Sequence, residues 1–148
     1  MRVVQRVTVS LAVVFVAGAT QASAQSGFAN MVDHIHLAAP DQAAAVDWYA
    51  KHFGAATPTA TNANAMGVPG MSFSFRKTDA AQAATKGRSL DHIGFEVKDL
   101  EAFCKKLAAD GVTFESPFRD MPAIGLKIAF LIDPAGTRIE LTQGFAGR

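Results

Sequence analysis

The chain has 148 residues, of which 49% are hydrophobic and 18% are charged, and its mean hydropathy is +0.16. This length suits one domain or two small joined modules, and the composition is too apolar for a disordered protein. The 14 basic and 13 acidic residues nearly balance. Neither nucleic acid nor an anionic membrane surface is therefore expected as a partner.

The first 24 residues have the pattern of a secretory signal peptide. Arg2 and Arg6 precede an apolar run from Val7 to Ala19, and small residues follow at 22–24. That run of about 13 residues is shorter than the ~20 that a membrane-spanning helix needs. We expect cleavage after Ala24 and a secreted or periplasmic protein without membrane contact. Removing two of the 14 basic residues leaves 12, against 13 acidic ones.

Two copies of one short pattern follow. Asp33-His34-Ile35 recurs as Asp91-His92-Ile93, and Asp41 recurs as Asp99, each displaced by 58 residues. Each copy then continues into an amphipathic helix. Asp41 and Asp99 are expected to cap the helix starts, and a glycine follows each helix. The chain is therefore expected to contain two related modules.

The segments after each helix have the composition of strands and turns. In the first copy, strands are predicted at 56–61 and 71–77, on either side of a Gly- and Pro-interrupted stretch at 62–70. In the second copy, strands are predicted at 112–115, 126–132 and 137–142, with a loop at 116–125 and a tight turn at 133–136. The second copy therefore has the order βαβββ, and the first copy follows the same order less clearly.

The module boundaries follow from this order. The first module is expected at 31–77, a polar, alanine-rich linker at 78–89 and the second module at 90–145. Each module alone would leave one sheet face bare. We therefore expect one α+β domain over 31–145, in which two βαβββ modules form a curved sheet around a cleft.

Two reactive side chains are interpreted as structural. Cys104 is the single cysteine and falls on the apolar stripe of the second helix, so it is expected to be a buried core residue without a disulfide. His52 lies beside Lys51 at the end of the first helix. It is expected to interact with the C-terminal carbonyls of that helix.

The remaining histidines and one glutamate form a candidate metal site. Side chains alternate along a strand, so His34 and His36 share one face, while Glu140 lies on the less apolar face of the last strand. If the inner faces of both modules line one cleft, His34, His92 and Glu140 can converge there. Two imidazoles and one carboxylate suit a divalent metal, whether Fe, Mn, Zn or Ni, with open coordination positions.

Two further residues are candidates for substrate chemistry. His36 lies about 6.6 Å along the strand from His34 and suits an alternative ligand or a catalytic proton shuttle. A hydrogen-bonded cleft residue is its simpler interpretation. Arg119, in the predicted loop, suits binding of a substrate carboxylate or phosphonate, although a solvated arginine also fits.

These stretches resemble the vicinal oxygen chelate superfamily, which includes glyoxalase I, fosfomycin-resistance transferases, extradiol dioxygenases and bleomycin-resistance proteins. The matching stretches are 34–41 with 48–54, 91–99 and 133–141, and together they extend over most of the chain after the signal peptide. The resemblance implies paired βαβββ modules around a metal cleft. It also implies that His34, His92 and Glu140 are the metal ligands.

One departure bears on the reaction. Glyoxalase I carries a further glutamate on the last strand of its first module, but the matching stretch from Met71 to Phe75 has no carboxylate. The remaining two-histidine, one-glutamate set resembles extradiol dioxygenases and fosfomycin transferases. Such a set leaves about three octahedral positions for a bidentate substrate.

The expected function is an exported, metal-dependent enzyme that acts on a small substrate with vicinal oxygens. A glyoxalase-like lyase or isomerase and an extradiol-dioxygenase-like enzyme are both open. The alternative is a metal-free protein that sequesters a small molecule, as bleomycin-resistance proteins do. Modules of this type pair within one chain or between two, so a homodimer is also open.

Overall fold

A computed structural model describes residues 33–55, 64–80 and 82–146. The predicted signal peptide at 1–24 and the predicted strand at 56–61 lie outside these ranges. Inside them, no helix is long and apolar enough to cross a membrane. The elements, in chain order, are β1 (His34–Ala39), α1 (Gln42–Phe53), β2 (Ala65–Val68), β3 (Met71–Lys77), β4 (Ile93–Glu96), α2 (Leu100–Ala109), β5 (Phe114–Met121), a 3-10 helix (Pro122–Ile124), β6 (Leu126–Ile132) and β7 (Arg138–Gln143).

The fold is α+β, as predicted, with two mixed sheets. The first sheet has the order β1-β3-β2, with β1 parallel and β2 antiparallel to β3. The second has the order β4-β7-β6-β5, with β4 parallel to β7. In both sheets, the strand before the helix pairs in parallel with the last strand of its module. Residues near the start of each module are thereby placed beside residues near its end.

The two helices begin at the predicted aspartates. The carboxylate of Asp41 accepts a backbone N–H of the first turn of α1 at 3.0 Å, and that of Asp99 does the same for α2 at 3.1 Å. These bonds satisfy donors that have no partner inside the helix. Gly54 follows α1 with a φ of 62°, a left-handed conformation that favours glycine.

The apolar faces of both modules meet in one core. The ring of Phe95 on β4 lies 4.8 Å from that of Phe53 on α1 and 5.9 Å from that of Phe73 on β3, between centroids. Cys104 is a buried free thiol in this core, as predicted. Since side chains alternate along each strand, the polar residues of the same strands face away from the core.

One buried hydrogen bond also joins the modules. Tyr49 of α1 is fully buried, and its hydroxyl donates to Oδ2 of Asp133, in the turn between β6 and β7, at 2.8 Å. Burial, and then the Asp133 carboxylate, raise the pKa of Tyr49 well above its usual value. The hydroxyl therefore keeps its proton and remains a donor.

Two predicted irregular stretches are strands instead. The predicted loop at 116–125 continues β5 to Met121 and ends in the 3-10 helix, so that prediction was wrong. Pro117 misled the sequence reasoning, but β5 is an edge strand whose pairing is irregular on both sides of Ser116, and proline is tolerated at such positions. Likewise, β2 forms within the stretch at 62–70 and turns into β3 at Pro69-Gly70.

His52 lies in the last turn of α1 and is buried, with 4% of its side chain accessible. Its ring packs 5.0 Å from that of Trp48, and its Nδ1 lies 3.5 Å from Oδ2 of Asp110, which follows α2. That nitrogen makes no hydrogen bond among the described residues. Burial, and then the nearby Lys51 charge, lower the pKa of His52, while Asp110 opposes the shift.

We expect Tyr49→Phe to lower the free energy of unfolding by about 1–3 kcal/mol, because the buried carboxylate of Asp133 loses a donor. Urea denaturation followed by circular dichroism measures this loss. Ser72→Ala is the matched control, since it removes a hydroxyl bonded to the exposed Asp33 carbonyl. Its effect should stay within about 0.5 kcal/mol. Equal losses in both variants would contradict the structural role of Tyr49.

The lowered pKa of His52 predicts an acid-sensitive fold. A histidine whose pKa is lower in the folded chain adds stability above its ordinary pKa of 6.5 and loses it as the pH falls through the folded value. We expect His52→Gln to flatten the dependence of the urea midpoint on pH between about 7.5 and 5. Asp110→Asn should steepen it, because Asp110 raises this pKa. A His52→Gln curve parallel to that of the unsubstituted chain would refute the assignment.

Candidate metal centre

His92 and Glu140 meet on the polar face of the second sheet. His92 immediately precedes β4, and Glu140 lies within β7 opposite Gly94. Nε2 of His92 is 3.2 Å from Oε2 of Glu140, and the two side chains are 37% and 19% accessible. A Cβ at Gly94 would lie 4.0 Å from that same oxygen. Gly94 thus faces the Glu140 carboxylate without a side chain between them.

The His92–Glu140 separation suits a shared metal ion. Bonds from zinc to histidine nitrogen and carboxylate oxygen are about 2.0–2.2 Å, so two ligands at octahedral or tetrahedral angles lie about 2.8–3.6 Å apart. The observed 3.2 Å is within that range. An imidazole and a carboxylate are also ligands that Zn, Fe, Mn and Ni accept. These two residues therefore fit two positions of a divalent metal site.

Asp91 orients the ring of His92. Its Oδ1 lies 2.8 Å from Nδ1 of His92, so the Nδ1 proton belongs to this contact and Nε2 faces Glu140. Hydrogen bonds from the Gly87 backbone, from His92 and from Arg138 lower the pKa of Asp91 far below its usual value. Asp91 is therefore an ionised carboxylate behind the candidate ligand, an arrangement that strengthens metal-binding histidines.

Arg138 holds Asp91 in place. It donates from Nη1 to Oδ1 of Asp91 at 2.7 Å and from Nε to Oε2 of Glu115 at 2.6 Å. Its guanidinium also lies over the ring of Phe130, 4.0 Å from the centroid. The sequence reasoning missed this support. The recurrence of aspartate before histidine could have identified Asp91, but no local pattern links Arg138 with partners 47 and 23 residues away.

His34 occupies the corresponding position on the first sheet. Its Nδ1 lies 2.9 Å from Oδ1 of Asp33, as that of His92 lies beside Asp91, and half of its side chain is accessible. The structure does not bring His34 together with His92 and Glu140 within one chain. Over residues 33–55, 64–80 and 82–146, no three His, Cys, Asp or Glu side chains are grouped so that they could hold a metal ion.

His36 and Arg119 lie apart from the His92–Glu140 pair. His36 is exposed on β1 beside His34, with ring centroids 4.9 Å apart, and pairs across the sheet with Ser74. Arg119 is exposed on β5 opposite Ile128, and not in a loop. The structure assigns neither residue a ligand, so their catalytic and substrate-binding roles stay predictions.

A cavity of about 350 Å³ opens in front of His92 and Glu140. Such a volume suits a small ligand. The residues that line it come from β4, β7 and the segment after β7, and they are His92, Gly94, Glu96, Glu140, Thr142, Phe145 and Ala146. The sequence analysis had not predicted that the segment after β7 contributes to it.

The family model of the Glyoxalase/Bleomycin resistance protein/Dioxygenase superfamily matches residues 31–141, and the chain belongs to this superfamily. The matched residues include β1 to β6 and most of β7. This finding confirms the resemblance and the fold class that it implied. No curated protein matches the chain in sequence.

Solved structures share this fold. The fosfomycin resistance protein FosX from Listeria monocytogenes is 17% identical, with a TM-score of 0.66 over 80% of this chain and 97% of that one. TioX from Micromonospora sp. ML1 is 22% identical, with a TM-score of 0.60 over 76% and 97%. A lactoylglutathione lyase from Agrobacterium tumefaciens is 17% identical, with a TM-score of 0.57 over 78% and 95%. At these identities the likeness concerns the fold.

We expect Asp91→Asn to weaken zinc binding about 10–100-fold, because the neutral amide no longer holds the Nδ1 proton of His92 as a carboxylate does. Competition with a chromophoric chelator measures the dissociation constant. Asp120→Asn, on the exposed part of β5, is the matched control and should change it less than about twofold. Unchanged binding in Asp91→Asn would rule out the orienting role of Asp91.

Proposed function

We propose that this chain is an exported, metal-dependent enzyme that acts on a small substrate with two adjacent oxygen atoms. The observation that carries the proposal is the His92–Glu140 pair, 3.2 Å apart beside a cavity and backed by Asp91. Superfamily membership supports it. The basic, apolar and small-residue pattern at 1–24 supports export.

The third ligand in this proposal is His34 of a partner subunit. Within one chain, His34 is half exposed on the polar face of the first sheet, while His92 and Glu140 lie on that of the second. A twofold pair of chains can bring the first sheet of each copy against the second sheet of the other. Two equivalent sites then form, each with two imidazoles and one carboxylate.

The protein residues have separate tasks in this mechanism. A divalent metal bound there would chelate vicinal oxygens and stabilise negative charge as a Lewis acid. Asp91 accepts a hydrogen bond from the protonated Nδ1 of His92, so Nε2 of the same ring is available to bind the metal. The strand β3 offers Ser72 and Ser74 on the polar face and no carboxylate. His36, 4.9 Å from His34 between ring centroids, is therefore the residue proposed to accept or return a substrate proton.

Both glyoxalase-like and extradiol-dioxygenase-like reactions fit this arrangement. Both use substrates with adjacent oxygens, and a divalent metal held by His92 and Glu140 would stabilise negative charge on those oxygens in either reaction. The metal that the protein selects distinguishes them. Iron or manganese favours oxygen chemistry, whereas zinc or nickel favours isomerase or lyase chemistry.

Elemental analysis of the untagged protein, purified without oxygen, tests the metal site. We expect about one divalent metal per chain, and a loss of most of it in His92→Ala and Glu140→Gln. Glu101→Gln, on the exposed side of α2, is the matched control and should keep its metal. Wild-type protein without metal, even after reconstitution, would overturn the proposal and favour a metal-free ligand-binding cleft.

Complementation between two inactive variants tests the shared site. His34→Ala and His92→Ala should each lose metal, but refolding an equal mixture should restore about one quarter of the wild-type content. Half of the randomly formed dimers are mixed, and each mixed dimer has one intact site of two. A site within one chain predicts no recovery, so a mixture without metal would exclude the partner subunit as the source of His34.

A further inference from the structure

The segment that follows β7 turns sharply at Gly144. This residue has a φ of 92°, and a Cβ there would lie 2.6 Å from the carbonyl oxygen of Gly125. A side chain at position 144 would therefore require both a strained backbone and a shift of the neighbouring turn. Glycine allows the chain to bend here and to continue along the cavity in front of Glu140.

Glu96 anchors this segment. Its carboxylate accepts hydrogen bonds from the Thr142 hydroxyl at 2.6 Å and from the backbone N–H groups of Gly144 at 2.6 Å and Phe145 at 3.2 Å. Burial alone would raise the pKa of Glu96, but these donors outweigh it and lower the pKa. Because both oxygens accept donors from the protein, the bonds hold the segment and leave Glu96 a poor metal ligand.

The anchored segment places Phe145 on the wall of the cavity. Phe145 is 58% exposed and lines the same cavity as His92 and Glu140. A single exposed phenylalanine is ordinary on a protein surface. This one differs because its backbone N–H is bonded to Glu96 and the preceding residue must be glycine. The cavity thus has a polar side that suits a metal and an apolar side formed by Phe145 and Ala146.

We propose that Phe145 is a specificity-determining residue that contacts an apolar, ring-sized group of the substrate, and that Glu96 is the positioning residue that holds it. This inference rests on the proposed function. It adds a substrate class, namely small molecules in which the vicinal oxygens are attached to an apolar group. Molecules that have the vicinal oxygens without an apolar group would bind the metal, but contact with Phe145 would not increase their affinity.

Two bidentate probes separate these contributions. For zinc-loaded protein we expect Phe145→Ala to weaken the binding of 4-nitrocatechol about tenfold, because part of its ring is no longer buried. The binding of acetohydroxamate should change less than about twofold. Phe145→Tyr should restore 4-nitrocatechol binding. Glu96→Gln should weaken the binding of 4-nitrocatechol but not that of acetohydroxamate, and it should speed hydrogen exchange at the amides of Gly144 and Phe145. Glu101→Gln should have neither effect. Equal losses for both probes, or none, would overturn the role of Phe145.

The controls distinguish failure of this inference from failure of the proposed function. If the protein binds no zinc, the metal site fails, and binding of 4-nitrophenol to the metal-free protein becomes the test. Weaker 4-nitrophenol binding in Phe145→Ala than in the wild type would still support the apolar wall. Binding that is equal in the two proteins, or undetectable in both, would overturn it. Sedimentation velocity is the last control, since dissociation of Phe145→Ala into monomers would identify Phe145 as a subunit contact and overturn the proposal.

Discussion

The parallel pairing of β4 with β7 determines where the groups of the candidate site lie. It joins segments at opposite ends of the second module and places Gly94 opposite Glu140. His92, two residues before Gly94, then reaches the same carboxylate, and Arg138, two residues before Glu140, reaches Asp91. A shift of one residue would turn every side chain of a strand to the opposite face. The register of this single pair of strands therefore determines the positions of all these groups.

The same topology on the first sheet gives a different surface. β1 pairs in parallel with β3, so His34 and His36 lie opposite Ser72 and Ser74, where the second module has a carboxylate. The two modules share this parallel pairing but differ in chemistry. One supplies imidazoles without an acidic neighbour across the sheet, and the other supplies an imidazole beside a glutamate. Among the described residues, neither polar face alone holds three candidate ligands, which explains why the proposed site requires both.

Local sequence patterns were sufficient for much of this structure. The two helix-capping aspartates, the α+β class and the buried Cys104 follow from short-range signals such as capping and apolar periodicity. The features that could not be predicted depend on contacts between distant parts of the chain. His52 is buried beside Asp110, which follows α2 and lies 58 residues further along the chain, and the course of β5 through Pro117 depends on its place at a sheet edge. His34 was named as a candidate ligand from the sequence, but the subunit that supplies it to the proposed site could not be predicted, because one chain's sequence does not specify which sheet faces meet.

The irregular pairing of β5 also limits how the chain can associate. An exposed strand edge with free N–H and C=O groups can add another strand and extend the sheet into a neighbouring molecule. On β5, Pro117 lacks the N–H that such an addition needs, and the irregular register around Ser116 interrupts the alignment of the remaining groups. Arg119 and Asp120 add exposed charges to the same strand. The second sheet therefore resists strand addition at its β5 edge.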